Sequence, residues 1–321
     1  MKTITPFMLD LHSRLMKERE ISESSASQYI KSLYSLNNQR SFTNLTWLKN
    51  KSSILARLGE FALNTQKSIL GCIVSVLSLY KSSSSYKKIY TYWYNEMQSK
   101  RNIGPDTSVK SEKQEENWLD WDVVLSHRNR LAEECTNYEK LKDLTPGQYE
   151  NLLHFLVISL FTDIPPRRNQ DYQFMMVVKK LNGKEDRQLN YLCLDSKQFV
   201  FNKYKTAKTH GQQVFDIPDT LMDVINLYLK FNPLNRSKSF YFLVQYNGTP
   251  ILVVNGVTRI LNKIFGKNVG ASMLRHIYLS NKYNIDEMED DAEAMAHGLN
   301  MQRDYLKSEQ HVDVPEHKSK P

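Results

Sequence analysis

Residues 191–206 read YLCLDSKQFVFNKYKT and residues 212–218 read QQVFDIP, and both stretches alternate apolar with polar side chains. Alternation with a period of two is typical of strands that bury one face, and the polar residues between the runs mark turns. The two stretches predict a small antiparallel sheet at about residues 191–217. A short hairpin is predicted nearby, at the Asn-Gly turn within FYFLVQYNGTPILV (residues 240–253).

Apolar residues on either side of this sheet recur at helical spacing. From residue 119 onward, this spacing predicts helices at 119–135, 146–161, 219–231 and 255–265. The second of these helices has a start signal, because Thr145 can cap it and Pro146 can take its first helical position. Nearer the N-terminus, helices are predicted at 5–19, 22–36, 66–81 and 85–100. The predicted fold is therefore mainly α with a small antiparallel β-sheet, in the α+β class.

A polar segment divides the chain into two predicted domains. Residues 99–117 have no apolar period, which is typical of an interdomain linker. A length of 321 residues also fits two ordinary domains. The predicted organisation is a helical domain at 1–105, a linker at 106–117, and a second domain at 118–321 that ends in a C-terminal tail.

Positive charge is concentrated in the first predicted domain. The chain has 43 Lys and Arg against 35 Asp and Glu, a formal charge of +8. Residues 1–105 contain 15 basic and 6 acidic side chains, a charge of +9, which leaves −1 for the rest. This distribution favours a polyanionic partner, because each Lys or Arg that meets a phosphate releases a counterion. A Lys-rich surface without a partner is the alternative. The interleaved Lys and Tyr at 86–94 indicate either a nucleic-acid face or the core of a helical bundle.

Several classes of protein do not fit the sequence. Cys72, Cys135 and Cys193 are far apart and lack metal-ligand spacing, so we expect neither a disulfide framework nor a structural zinc. No Gly-rich phosphate loop and no metal-spaced carboxylates are found. The chain begins without a signal-peptide pattern, and its longest apolar run, 152–161, is about half of a membrane span. We expect a soluble protein of a reducing intracellular compartment, with no membrane partner.

An ordered set of chemically active side chains lies in the second half of the chain. In sequence order, it comprises Arg167, Arg168 and Asp171 in IPPRRNQDY, Lys205 and Lys208 in YKTAKTHG, Ser272, Arg275 and His276 in ASMLRHIYLS, and His297 and Tyr305 in AHGLNMQRDY. Each of these residues alone is more commonly a solvated surface residue. Together they suit metal-free phosphodiester cleavage. Guanidiniums can stabilise charge on phosphoryl oxygens, a Tyr hydroxyl can form a covalent ester, and Lys and His can transfer protons.

In this order the residues resemble the tyrosine recombinases, the lambda-integrase-like family of DNA strand-exchange enzymes. The first Arg box of that family reads Arg-x-x-Glu or Arg-x-x-Asp. Arg168 and Asp171 match this box, which makes Arg167 the less favoured catalyst. The second box reads His-x-x-Arg, usually followed by His, and SMLRH matches it at Arg275. It departs from the box at Ser272, where the family usually has His.

The C-terminal motif and the hairpin lysine extend the resemblance. The family places Gly-His or Gly-Trp ahead of its tyrosine. Here His297 and Tyr305 take those places, with Ala296 instead of Gly and an interval that is one residue shorter than the common one. The family's hairpin lysine matches Lys208 best, and Lys205 remains an alternative.

The resemblance implies a helical core-binding domain at 1–105 and a tyrosine-recombinase-type catalytic domain that together close around DNA. It implies a site-specific recombinase or integrase that forms a 3′-phosphotyrosyl intermediate without a metal or another cofactor. The implied catalytic residues are Arg168, Lys208, Arg275, His297 and Tyr305, supported by Asp171, Ser272 and His276. The implied partners are double-stranded DNA and further copies of the chain, as a tetramer in the synapse, with no small-molecule substrate.

The wording of the motifs is nearest to recombinases of large DNA viruses and mobile elements, which implies the nucleus or cytoplasm of a host cell. Two alternatives share the motifs. One is a type IB topoisomerase-like enzyme that relaxes DNA. The other is an inactive DNA-binding derivative, for which Ser272 is the only indication.

Overall fold

The structure, a computed structural model, describes residues 4–101, 103, 110–281, 291 and 294–296. The chain forms two units, Met1–Asp106 and Thr107–Pro321. Within the described residues, none of the helices combines the length and the apolar character needed to cross a membrane.

The described part of the first unit is helical. Its α-helices are α1 (Pro6–Arg19), α2 (Glu23–Leu36), α3 (Lys51–Gly59), α4 (Leu63–Ser78) and α5 (Ser84–Arg101). The sequence predicts all of these to within a few residues except α3, which is missed. α1 and α2 begin where predicted because the side chains of Thr5 and Ser22 accept hydrogen bonds from backbone amides of the first turn.

Helix α4 is the centre of the first unit, because α1, α2, α3 and α5 all pack against it. Its apolar residues are buried on several faces, as expected for a helix surrounded by others. Trp93 of α5 is fully buried in this core, and its Nε1 donates a hydrogen bond of 3.0 Å to the carbonyl oxygen of Leu48. That bond satisfies the one polar atom of the indole ring.

The second unit combines helices with a sheet. Its described helices are α6 (Glu112–Asn117), α7 (Trp121–Cys135), α8 (Pro146–Thr162), α9 (Asn169–Gln173), α10 (Ala207–His210), α11 (Asp219–Phe231), α12 (Gly256–Phe265) and α13 (Ala271–Asn281). Helix α8, which is buried from Leu152 to Phe161, is the central helix, and α7, α11 and α12 pack against it. It begins at a capping box formed by Thr145 and Gln148, with Pro146 in its first turn.

Helix α6 lies within the polar segment that the sequence predicts to be irregular. Ser111 and Gln114 form a capping box at its start, and the side chain of Asn117 accepts a hydrogen bond of 2.9 Å from the amide of Asn268. A single capped turn of helix has no apolar period, so periodicity misses it. The later part of the predicted linker therefore packs with the second unit.

The sheet has five strands in the described residues, in the order β4-β3-β2-β1-β5. They are β1 (Met176–Val178), β2 (Tyr191–Cys193), β3 (Gln198–Phe201), β4 (Gln213–Asp216) and β5 (Ser239–Tyr241). The predicted antiparallel pairing holds for β2, β3 and β4, and β5 pairs antiparallel with β1.

The prediction of a purely antiparallel sheet is wrong, because β1 and β2 are parallel and the sheet is mixed. The polar segment between Val178 and Tyr191 is long enough to return the chain to the same end of the sheet, as a parallel pair requires. The predicted hairpin at 240–253 is reduced to one antiparallel bridge, Val244 with Pro250, closed by Gly248 at a φ of 81°.

Candidate active site

The first arginine motif lies at the start of α9, where Arg168 is the N-cap residue. The Nε of Arg167 donates a hydrogen bond of 3.0 Å to Oδ2 of Asp171, one helical turn away. Both side chains are almost fully buried, at 2% and 1% exposure. The guanidinium of Arg167 also lies 3.8 Å from the ring centroid of Phe201 in β3. A buried ion pair that stacks on an aromatic ring fixes the orientation of this short helix.

The three arginines of the two motifs converge on one short stretch of backbone. Nη1 of Arg168 donates to the carbonyl oxygen of Ala296 over 3.3 Å, and Nη2 of Arg275 donates to that of Met295 over 3.5 Å. Nη1 of Arg167 donates to the carbonyl oxygen of Ala294. Residues 294–296 therefore present three consecutive backbone carbonyls to three guanidiniums, immediately before His297.

The arginines differ in how far solvent reaches them. Arg275 on α13 is 1% exposed and Arg167 is 2% exposed, whereas Arg168 is only partly buried. Arg167 is also bonded to Oε1 of Gln213 in β4 at 3.0 Å, so it contacts three separate segments of the unit. Arg167 and Arg275 are thus both held inside the unit, while Arg168 keeps part of its surface in solvent.

The cluster has an excess of positive charge. Burial raises the pKa of the Asp171 carboxyl, and the guanidiniums of Arg167, Arg168 and Arg275 act in the opposite direction. Three cations therefore surround this one carboxylate in the described part of the site. Such a cluster attracts anions, and its guanidiniums provide directed donors for the oxygens of a phosphate.

The predicted hairpin lysines lie between β3 and β4, close in sequence to a contact with the same backbone stretch. Lys205 precedes α10, Lys208 lies within α10, and both side chains are exposed. The hydroxyl of Thr206, between them, donates to the carbonyl oxygen of Ala296, which also accepts from Arg168. The loop that carries the lysines is thereby fastened beside the arginines, and both lysines are exposed residues of this loop.

The remaining predicted residues fall into two groups. Ser272 is exposed in the first turn of α13 and His276 is partly buried on the same helix, next to Arg275. His297 and Tyr305 lie outside the described residues, so their predicted roles stay predictions. The described chain ends next to His297, at Ala296, on the stretch where the arginines converge.

Three contacts of the site escape the sequence patterns. The resemblance favours Arg168 over Arg167, although the spacing of four residues between Arg167 and Asp171 is the signal of a helical ion pair. Thr206 gives no signal, because a Thr in a polar loop is common. Asn190 is 3% exposed and contacts both α9 and the loop that follows β3, yet its position before a strand predicts only a turn residue.

The chain was compared with protein-family models, with curated proteins and with solved structures, and none of these comparisons found a match.

Proposed function

We propose that the chain is a site-specific DNA recombinase or integrase of the tyrosine type, which cleaves and rejoins duplex DNA through a 3′-phosphotyrosyl intermediate. The observation that carries the proposal is the convergence of Arg168 and Arg275 on the backbone directly before His297. These two arginines belong to separate motifs, more than a hundred residues apart in the chain. Their meeting beside the predicted C-terminal motif supports one phosphate site.

The proposed chemistry follows from the residue types at this site. The hydroxyl oxygen of Tyr305 attacks the scissile phosphorus, and the bond from phosphorus to the 5′ oxygen breaks. Arg168 and Arg275 donate to the non-bridging oxygens, where negative charge builds in the transition state. Lys208, or Lys205 as the alternative, gives a proton to the departing 5′ oxygen, and His297 takes up the proton that the Tyr305 hydroxyl loses. Rejoining reverses these steps with a 5′-hydroxyl of the partner strand.

The first unit supports the proposal through its charge. Lys87 and Lys88 are exposed on α5, where the rings of Tyr90 and Tyr94 stack at a centroid distance of 6.1 Å. Lys51 lies 3.9 Å from the ring centroid of Tyr92 on the same helix. Exposed cations near aromatic rings suit a DNA backbone, and we propose that Lys87 and Lys88 of α5 contact DNA. The proposed working assembly is a tetramer of the chain on two duplexes.

A covalent-trapping experiment tests the proposal. Junctions of integrated DNA are mapped first, and a nicked suicide duplex that carries the mapped site is incubated with the protein. We expect an adduct that survives denaturation in the wild type, and none in Tyr305→Phe, whose DNA affinity should stay near that of the wild type because only one hydroxyl is removed.

The matched control is Tyr246→Phe, which removes the hydroxyl of another tyrosine of the second unit, 49% exposed. This variant should form the adduct normally. An adduct that persists in Tyr305→Phe contradicts the assignment of the nucleophile. Efficient relaxation of supercoiled plasmid without any mapped junction, and without synapsis of two duplexes, favours the topoisomerase alternative instead.

A further inference from the structure

The side chain of Asn190 joins two segments of the second unit that the sequence separates. Its Nδ2 donates to the carbonyl oxygen of Asp171 at 2.9 Å and to that of Lys203 at 2.9 Å. Its Oδ1 accepts from the amides of Asn202 at 2.9 Å and Lys203 at 2.8 Å. Asp171 lies in α9, and Asn202 and Lys203 directly follow β3.

These four bonds use the full capacity of the amide group. A primary amide has two N–H donors and one oxygen with two lone pairs, so every site on Asn190 is occupied. No other side chain of similar size provides two donors and two acceptor sites in this geometry. Because Asn190 is only 3% exposed, water cannot easily replace the bonds that a substitution removes.

The backbone of Asn190 is itself fixed to the sheet. Its carbonyl oxygen accepts from the amide of Met176 at 2.8 Å, which extends the pairing of β1 with β2 by one position. The neighbouring carbonyl of Leu189 accepts from Nδ2 of Asn202 at 2.9 Å. Asn190 therefore connects the loop after β3 to helix α9, and its own backbone is held by the sheet.

We propose that Asn190 is a positioning residue of the active site. It sets the separation between α9, which begins next to Arg168, and the loop that starts at Lys203 and carries the hairpin lysine. The inference rests on the proposed function, because that function requires the arginine and the lysine to act on one phosphate. A displacement of about 1 Å at such a site costs about a hundredfold in rate.

Asn190→Ser and Asn190→Ala test the proposal against a matched control. The control is Asn232→Ala, which removes another buried amide of the same unit, 4% exposed. Asn232 donates to the carbonyl oxygen of Phe242 at 3.2 Å and accepts from the amide of Leu234 at 2.9 Å, and neither partner belongs to the site. Asn190→Ser is the milder of the two changes at this position. Circular dichroism first establishes that each variant is folded, and only folded variants are compared.

The first readout is single-turnover cleavage at saturating DNA. We expect Asn190→Ser to lower the rate by about a hundredfold with unchanged DNA affinity, and Asn232→Ala to keep the wild-type rate. A substrate with sulfur as the bridging 5′ atom should restore part of the loss, because a thiolate departs without a proton from the displaced lysine. Equal rates for the variants of Asn190 and Asn232 overturn the positioning role.

The second readout does not depend on activity. Hydrogen exchange of the amides of Asn202 and Lys203, and of the loop that follows, should be about tenfold faster or more in Asn190→Ser. The same amides should be unaffected in Asn232→Ala. An unchanged exchange rate at Asn202 and Lys203 in Asn190→Ser contradicts the inference, whatever the cleavage rate of that variant. A wild type that forms no adduct contradicts the proposed function, while the exchange data still decide whether Asn190 holds the loop.

Discussion

The two units of the chain bury very different side chains. In the described core of the first unit, Ser75 is the one buried polar residue, whereas the described core of the second contains Arg167, Asp171, Arg275 and Asp291 together with several buried amides. A buried charge destabilises a fold unless it is paired and hydrogen-bonded. The first unit therefore has the core of a scaffold, and the second keeps charged groups in fixed positions at a cost in stability.

This difference separates two uses of positive charge. Exposed lysines such as Lys87 and Lys88 would bind a polyanion through counterion release, without fixing any single oxygen. Buried guanidiniums such as Arg275 are held by the fold, so their N–H groups keep one direction. Changes in the first unit should therefore alter affinity, and changes in the second should alter chemistry or stability.

The largest expected effect is on the rate of DNA cleavage. Arg168→Ala and Arg275→Ala should each lower single-turnover cleavage by about a hundredfold to a thousandfold, because each removes a donor to the developing charge. Binding measured by gel shift should change far less. If Arg275→Ala instead abolished binding and left the rate at saturation intact, the division between the two units would be wrong.

The next effect is on the stability of the second unit. Arg167→Ala leaves the Asp171 carboxylate buried without its ion-pair partner, so we expect a loss of about 3 to 5 kcal/mol in the free energy of unfolding. Denaturant-dependent labelling of Cys135 measures this unit, and labelling of Cys72 measures the first unit, which should not change.

The double variant Arg167→Met with Asp171→Leu is the control for that prediction. Replacing both charges by apolar groups of similar size should recover most of the lost stability. Cleavage should stay impaired, because the orientation of Arg168 depends on the same short helix. Full recovery of cleavage in the double variant would mean that the buried pair has no influence on the site.

A smaller effect is expected for the exposed lysines of the first unit. Lys88→Ala should weaken DNA binding severalfold and reduce the slope of log affinity against log salt by about 1, with no change in rate at saturation. Lys263→Ala is the matched control in the second unit, where this exposed lysine pairs with Glu150 at 2.5 Å. Equal losses for both variants would remove the special role of the basic first unit.

The smallest effect concerns the three cysteines, all of which are buried and unpaired. Burial raises the pKa of Cys72 to about 11 and that of Cys135 to about 12. At pH 8 the thiolate is therefore about a thousandth or less of either group. We expect negligible labelling of the native protein within minutes and complete labelling after denaturation. Rapid labelling of native Cys135 would show that the second unit opens locally.

Much of the helical framework could be predicted from the sequence. α8 begins at Pro146 because a cap and a proline are both local signals, and α11 matches its predicted range of 219–231. β1 is missed by the sequence patterns, and β5 overlaps the predicted hairpin only at residues 240–241. The pairing of β1 with β2 and β5 also depends on the end of the sheet to which the segment after β1 returns. No local sequence pattern gives that information.

The site was less predictable than the fold, and for a physical reason. The motifs predict Arg168 and Arg275 because their spacing lies within short boxes, but the contacts of Thr206 and Asn190 are made across the fold. Asn190 bonds to residues 19 and 13 positions away, and Thr206 to one 90 positions away. Side chains with such partners look like ordinary turn residues in the sequence.

The carbonyls of residues 294–296 have one more consequence. Because they are part of the same chain, they compete for the guanidiniums at a high effective concentration that dilution does not lower. A free anion such as sulfate must displace these carbonyls without help from any other contact. At millimolar concentration, we expect it to compete poorly with them. A phosphate within a duplex arrives together with the other contacts of that duplex, so its own local concentration is raised as well. We therefore expect the proposed site to favour an anion that belongs to a polymer over the same anion in solution.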